Sequence, residues 1–148
     1  MGRKRVTPGD VLEFVVPDGL GYVQYLGRHP LYGEGILVRP LPLADRPALT
    51  DELFAGGYVT FYPAGVAVAR GFAEIVGTLT SKGLPTRWRR DGAIDKGGKP
   101  LTWIIEDERG DTVREQLTAE ERKLPVVEIW NHEMLVHRIS AHWRPEDE

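Results

Sequence analysis

The sequence predicts a β-dominated α+β domain: a strongly bent antiparallel sheet or a small barrel, with short helices. Three observations point to it. Short runs rich in β-branched and aromatic residues recur along the chain. Glycine and proline clusters separate these runs where a helical protein would carry longer amphipathic stretches. The connections between the first runs are short, which favours antiparallel neighbours. The closed alternative is an SH3-like barrel; the other is an open sheet.

The elements follow in order. Residues 1–8 form a basic N-terminal tail (Arg3, Lys4, Arg5), and residues 9–143 a single globular domain. Val11 to Val16 is a strand, ended by the turn residues Pro17-Asp18-Gly19. Leu20 to Leu26 is the return strand and Gly35 to Arg39 the third, closed by Pro40 and Pro42. Residues 40–56 are irregular, with a helical turn over Thr50 to Ala55 that Thr50 can cap. Tyr58 to Tyr62 alternates as a strand, and Pro63 opens a short helix over Ala64–Arg70. Phe72 to Leu79 is a strand, and 81–100 is a long loop of turn residues without periodicity.

Leu101 to Asp107 and Asp111 to Leu117 then read as a hairpin around Glu108-Arg109-Gly110. Thr118-Ala119-Glu120-Glu121 is a capping box heading a short helix. Val126 to Trp130 reads as a strand. Asn131 can cap a helix over His132 to Ser140, although strand alternation also fits that segment. Residues 144–148 are an acidic tail.

Composition excludes several classes of chemistry. The chain has 148 residues, 41% of them hydrophobic, and a net charge of −3, so a folded core is expected rather than disorder. It has no cysteine, hence no disulfide, thiolate zinc site or iron–sulfur cluster, which suits a reducing cytoplasm. No apolar run approaches the roughly 20 residues of a membrane helix. No apolar segment follows the basic N-terminus to make a secretory signal.

Charge is unevenly spread. Residues 1–100 carry 13 Lys+Arg and 10 Asp+Glu; residues 101–148 carry 6 and 12. The C-terminal third is therefore acidic, with Glu106, Asp107, Glu108 and Asp111 in one hairpin. Such a face is either a solubilising surface or a patch that attracts a basic protein.

The catalytic patterns are incomplete. His132, His137 and His142 are spaced by five, which turns neighbours off a common helix face. His132-Glu133 begins a metalloprotease pattern, but Val136 stands where the second histidine belongs. A small phosphoester hydrolase would need His29 to meet the late histidines through loops. Gly92 to Lys99 lacks a strand-to-helix phosphate-loop context, and neither Ser81 nor Ser140 lies in a nucleophile elbow. No cofactor or metal is expected.

Two recognition sets remain. Arg28, His29 and Tyr32 sit on a Gly/Pro/Tyr-rich loop at a strand end, and these side-chain types make interface anchors. The competing reading is that His29 and Tyr32 only pin the loop. Arg87, Trp88, Arg89 and Arg90 interleave an aromatic with cations, as an RNA-binding module would. The sequence pI near 5.8 and the acidic third oppose that use.

The segments Gly9-Asp10-Val11-Leu12-Glu13-Phe14 and Gly21-Tyr22-Val23-Gln24-Tyr25 resemble the opening of the bacterial immunity protein 26 family. Glu128-Ile129-Trp130-Asn131 is similar to a segment of related bacterial proteins. The resemblance covers the first 40 residues and has a weak echo near residue 130. It implies an intracellular protein that binds and neutralises a polymorphic toxin, often a basic nuclease. A phosphotriesterase label attached to some of the wider grouping has no metal-ligand pattern here to carry it. The leading expectation is thus a non-enzymatic binding protein of toxin-immunity type, using Arg28, His29, Tyr32, Glu106, Asp107, Glu108 and Asp111 on a basic protein partner.

Overall fold

A computed structural model describes residues 5–148 of the chain; part of the basic tail, residues 1–4, lies outside the described residues. Five strands form the main sheet: β1 (Asp10–Val16), β2 (Gly19–His29), β3 (Gly33–Val38), β4 (Tyr58–Phe61) and β5 (Glu74–Thr78). Their order is β4-β3-β2-β1-β5 and every neighbouring pair is antiparallel. The edges β4 and β5 do not pair with each other, so the sheet is open, and of the two sequence alternatives the barrel is not formed. Its bending comes with irregularities in register at Val11/Leu12 and Tyr25/Gly27.

The Pro17-Asp18-Gly19 turn forms where expected. Gly19 has φ 145, and a Cβ there would collide with the Leu43 carbonyl, to which the next residue, Leu20, is hydrogen-bonded. The return strand runs to His29 and so carries Arg28 and His29 on its end.

Alternation assigns the two faces of this sheet. Leu12, Phe14, Val23, Tyr25, Ile36 and Val38 pack on one side against two helices, α1 (Ala64–Ala69) and α2 (His132–Ser140), and against Trp130. Val11 and Tyr22 pack on the other against Leu53, Phe54, Leu43 and Leu49 of the irregular 40–56 segment. The expected turn there is a 3-10 turn, Asp51–Phe54, and the Thr50 side chain makes no cap bond. Buried leucine and phenylalanine hold it down. At the open end of the same face, Tyr22 donates to Glu13 at 2.6 Å and Arg46 pairs with Glu13 at 2.8 Å. The Arg46 guanidinium holds the Glu13 carboxyl below its usual range.

The second sheet is β6 (Trp88–Asp91), β7 (Trp103–Asp107) and β8 (Gly110–Arg114), in that order and antiparallel. The hairpin of β7 and β8 is the one expected, turning at Glu108-Arg109. Strand β6 falls inside the segment expected to be a loop. Its partners are distant in sequence, so local turn chemistry hid it.

The segment expected as a strand over Val126 to Trp130 forms only isolated parallel bridges, Arg89 with Val126 and Phe61 with Ile129. These bridges join the sheets. Val127 N–H donates to the Arg89 carbonyl and Trp130 N–H to the Phe61 carbonyl, each at 2.8 Å. Thr118 and Glu121 make both reciprocal capping bonds, at 3.0 and 3.1 Å, but the helix they head is a 3-10 turn, Glu121–Lys123. Asn131 caps α2 by accepting from Met134 N–H at 2.7 Å.

The residues expected as an acidic tail instead fold back. Pro145–Asp147 is a 3-10 turn with Pro145 buried. At the other terminus, Thr7 N–H donates to Asp10 at 2.8 Å and Val6 packs on the core.

Candidate recognition site

Strand β2 delivers Arg28 and His29 to its end, and the loop beyond it returns Tyr32 over the second sheet. His29 Nδ1 accepts from the N–H groups of Leu31 and Tyr32, at 3.0 and 3.3 Å, which closes the loop on itself. The His29 ring stacks on Tyr32 with centroids 4.7 Å apart and meets Phe61 and Trp88 edge-on. Trp88 in turn stacks on Phe61 at 4.7 Å. Aromatics from β2, β4 and β6 thus form one cluster across the junction of the sheets.

This cluster is linked to the acidic hairpin. Tyr32 donates its hydroxyl to Glu106 at 2.7 Å. The Glu106 carboxylate holds that phenol above its ordinary pKa, because the hydrogen bond is made to the neutral phenol. Arg90 lies 3.5 Å from Glu106 and 2.8 Å from Asp111. Register explains the convergence: Trp88 pairs with Glu106, and Glu106 with Asp111, so Trp88, Glu106 and Asp111 share a face with Arg90, two positions along β6 from Trp88. Two sets expected as rivals therefore meet in one place.

Individual residues differ in availability. Arg28 is exposed and pairs with Glu34 at 3.5 Å. Asp107 accepts from Arg109 N–H at 2.7 Å and stiffens the hairpin turn, while Glu108 beside it is exposed. Tyr32 and Glu106 are bonded to each other within the molecule, and Asp111, exposed on β8, is paired with Arg90.

The RNA-binding set does not present a surface. Trp88 is 3% exposed and Arg89 2%. Arg89 donates to the carbonyls of Arg122 and Pro145, and burial pushes its guanidinium below the usual range. Arg87 pairs with Glu121 at 3.8 Å. The strand that buries Trp88 and Arg89 on opposite faces leaves only Arg87 and Arg90 near solvent, each with an acidic partner.

The histidines are dispersed as well. His132 bonds Tyr62 Oη through Nδ1 at 2.6 Å, stacks on Phe72 and meets Phe14 edge-on. Burial pushes its imidazole below the ordinary value. His29 packs instead on the Phe61–Trp88 pair, and His137 and His142 are exposed. Among the described residues no three His, Cys, Asp or Glu side chains are gathered as metal ligands.

Sequence reasoning missed a cleft of about 640 Å³ on the face of the main sheet that carries Val11 and Tyr22. Its floor is Gln24, Leu37 and Val59, adjacent in register across β2, β3 and β4. One wall is the 3-10 turn and its exit, from Asp51 to Gly57; the other is the strap from Leu79 to Pro85. The signal that could have found it is Gln24, a polar residue in an otherwise apolar stripe with Tyr22 and Leu26.

No family model, curated protein or solved structure matches the chain.

Proposed function

We propose that the chain is a non-enzymatic binding protein that acts in the cytoplasm on a basic protein partner, as an immunity protein neutralising a bacterial polymorphic toxin. The observation that supports this most is the β7–β8 hairpin. It is acidic, its outer strand β8 is a sheet edge, and all of β8 except Arg114 is exposed. An exposed edge can accept an added strand through main-chain bonds, while surrounding carboxylates select and steer a cationic partner.

The inner network suits this use. Arg90 and Tyr32 hold Glu106 and Asp111 in place, so the hairpin is ordered before a partner arrives and less conformational entropy is lost on binding. In this reading Glu108 and Asp107 make the contacts, with Arg28 at the neighbouring strand end. Glu106, Asp111, His29 and Tyr32 act as supports. Glu108 has no hydrogen bond or ion pair among the described residues, Asp107 uses one carboxylate oxygen within its own turn, and Arg28 stays 71% exposed beside Glu34, whereas Glu106 and Asp111 are bonded across to other elements.

The test is capture from a lysate of the native organism with the tagged chain and with the double variant Asp107→Lys/Glu108→Lys. The wild type should retain a basic protein, in a salt-sensitive manner, and coexpression should relieve that protein's toxicity; the variant should do neither. An acidic or non-toxic captured protein, or equal capture by the variant, overturns the proposal.

A further inference from the structure

The cleft on the main sheet is separate from the acidic hairpin, and its chemistry differs. Leu26, Leu37, Phe54, Val59, Leu79 and Leu84 give it an apolar lining, and its volume of about 640 Å³ falls in the range of small-molecule sites, roughly 300–1,000 Å³.

Four polar side chains interrupt that lining: Gln24, Asp51, Thr80 and Lys82. Gln24 is 4% exposed, and its amide nitrogen donates to the carbonyls of Gly9, Leu79 and Thr80 at 3.3, 3.0 and 3.4 Å. Its two N–H donors are thereby used, and what remains is the carbonyl oxygen, an acceptor. Asp51 stands on one wall and Lys82 on the other, both exposed. Neither has an ion-pair partner among the described residues.

The strap wall is lightly held. Residues 80–87 make no main-chain to main-chain hydrogen bond among the described residues. Along the cleft wall itself, up to Pro85, two contacts fasten it, the Gln24 amide at its start and Leu84 seated where β3 has Gly35; beyond the wall Arg87 pairs with Glu121 at 3.8 Å. A Cβ on Gly35 would collide with the Leu84 side chain. A wall fastened at two points can adjust to an occupant, while a floor of three paired strands cannot.

We infer that this cleft binds a zwitterion with a bulky apolar body: an apolar amino acid or short peptide with free termini. The ligand's ammonium group meets the Asp51 carboxylate, its carboxylate meets Lys82, and an N–H donates to the Gln24 carbonyl oxygen. The apolar body lies on Leu37 and Val59 beneath Leu84 and Phe54.

The test uses the tripeptide leucyl-leucyl-leucine and its N-acetylated, C-amidated form, titrated by calorimetry into the full chain. The free tripeptide should bind saturably, and better than the blocked form. Asp51→Asn and Lys82→Gln should each weaken it by about two- to fivefold, as expected for exposed ion pairs. Ala55→Trp and Thr80→Trp fill the cleft from opposite walls at exposed positions, and each should reduce binding at least about tenfold with an unchanged melting temperature. Amide exchange over residues 80–87 should slow when the free tripeptide is bound. Absence of saturable binding, full binding by both tryptophan variants, or unchanged exchange in the strap overturns the site. Equal affinity for the blocked form overturns the assigned ligand class.

Discussion

At the scale of single residues, the same side-chain types serve different ends according to what they meet. Tyr32 was expected as an exposed anchor, yet its hydroxyl is spent on Glu106. Tyr32→Phe keeps the stacking on His29 and removes one hydrogen bond to a carboxylate that Arg90 still accompanies. It should cost about 1 kcal/mol of stability in urea unfolding, with no change in fold. His132 carries a pH dependence. The folded state favours its neutral imidazole, so the unfolded chain takes up the proton first as pH falls. Its contribution is complete above about pH 6.5 and is lost as pH falls from there through the folded value. The melting temperature should therefore drop between pH 7.5 and 5.5, and His132→Gln should flatten that drop. Glu121 follows the same sign at lower pH. Hydrogen bonding to Thr118 N–H lowers its pKa most, with Arg114 assisting, so its contribution is lost as pH falls below the ordinary carboxylate range.

At the scale of elements, legibility tracked the locality of the interactions. The β1–β2–β3 meander could be read because turn residues and alternation sit within one stretch of chain. Asn131 announced α2, and Thr118 with Glu121 announced a capped turn, because caps are local chemistry. Strand β6 could not be read: Arg87 to Arg90 look like a cationic cluster, and their pairing partners lie at 103–106 and 125–127. The cleft was hidden for the same reason, since its floor and walls come from stretches between residues 24 and 85 that share no motif. Val127→Pro removes the N–H that bonds the Arg89 carbonyl and leaves an acceptor unpaired at the seam; the cost should be about 1–3 kcal/mol in urea unfolding. Removing residues 145–148 takes away the Pro145 carbonyl that accepts from buried Arg89. It should cost about 1–3 kcal/mol or more, with hydrogen exchange rising first around Arg89.

At the scale of the whole molecule, the question is whether two sheets of unequal size unfold as one. The seam at 125–130 gives them main-chain hydrogen bonds in common, and Trp88 carries the second sheet's largest buried side chain onto Phe61 of the first. On the far side of the main sheet, Arg138 lies over Trp130 and Trp143 at 4.6 and 4.4 Å and pairs with Glu128, within the seam itself. The seam is thus clamped from α2 as well as from both sheets. Free energy placed at a junction couples the units it joins, so thermal and urea unfolding should be a single transition. Tryptophan fluorescence and far-UV circular dichroism should report the same midpoint. Trp88→Ala tests the origin of this coupling. Its loss should cost about 3–5 kcal/mol, as for a large buried aromatic. The cost should fall mainly on the second sheet, because the main sheet keeps its own cores on both faces. In that variant amide exchange over β6–β8 should outpace exchange over β1–β3. Uniform acceleration of both sheets would show instead that the seam alone holds them together. Two separated transitions in the wild type would show that neither the seam nor Trp88 makes the molecule one cooperative unit.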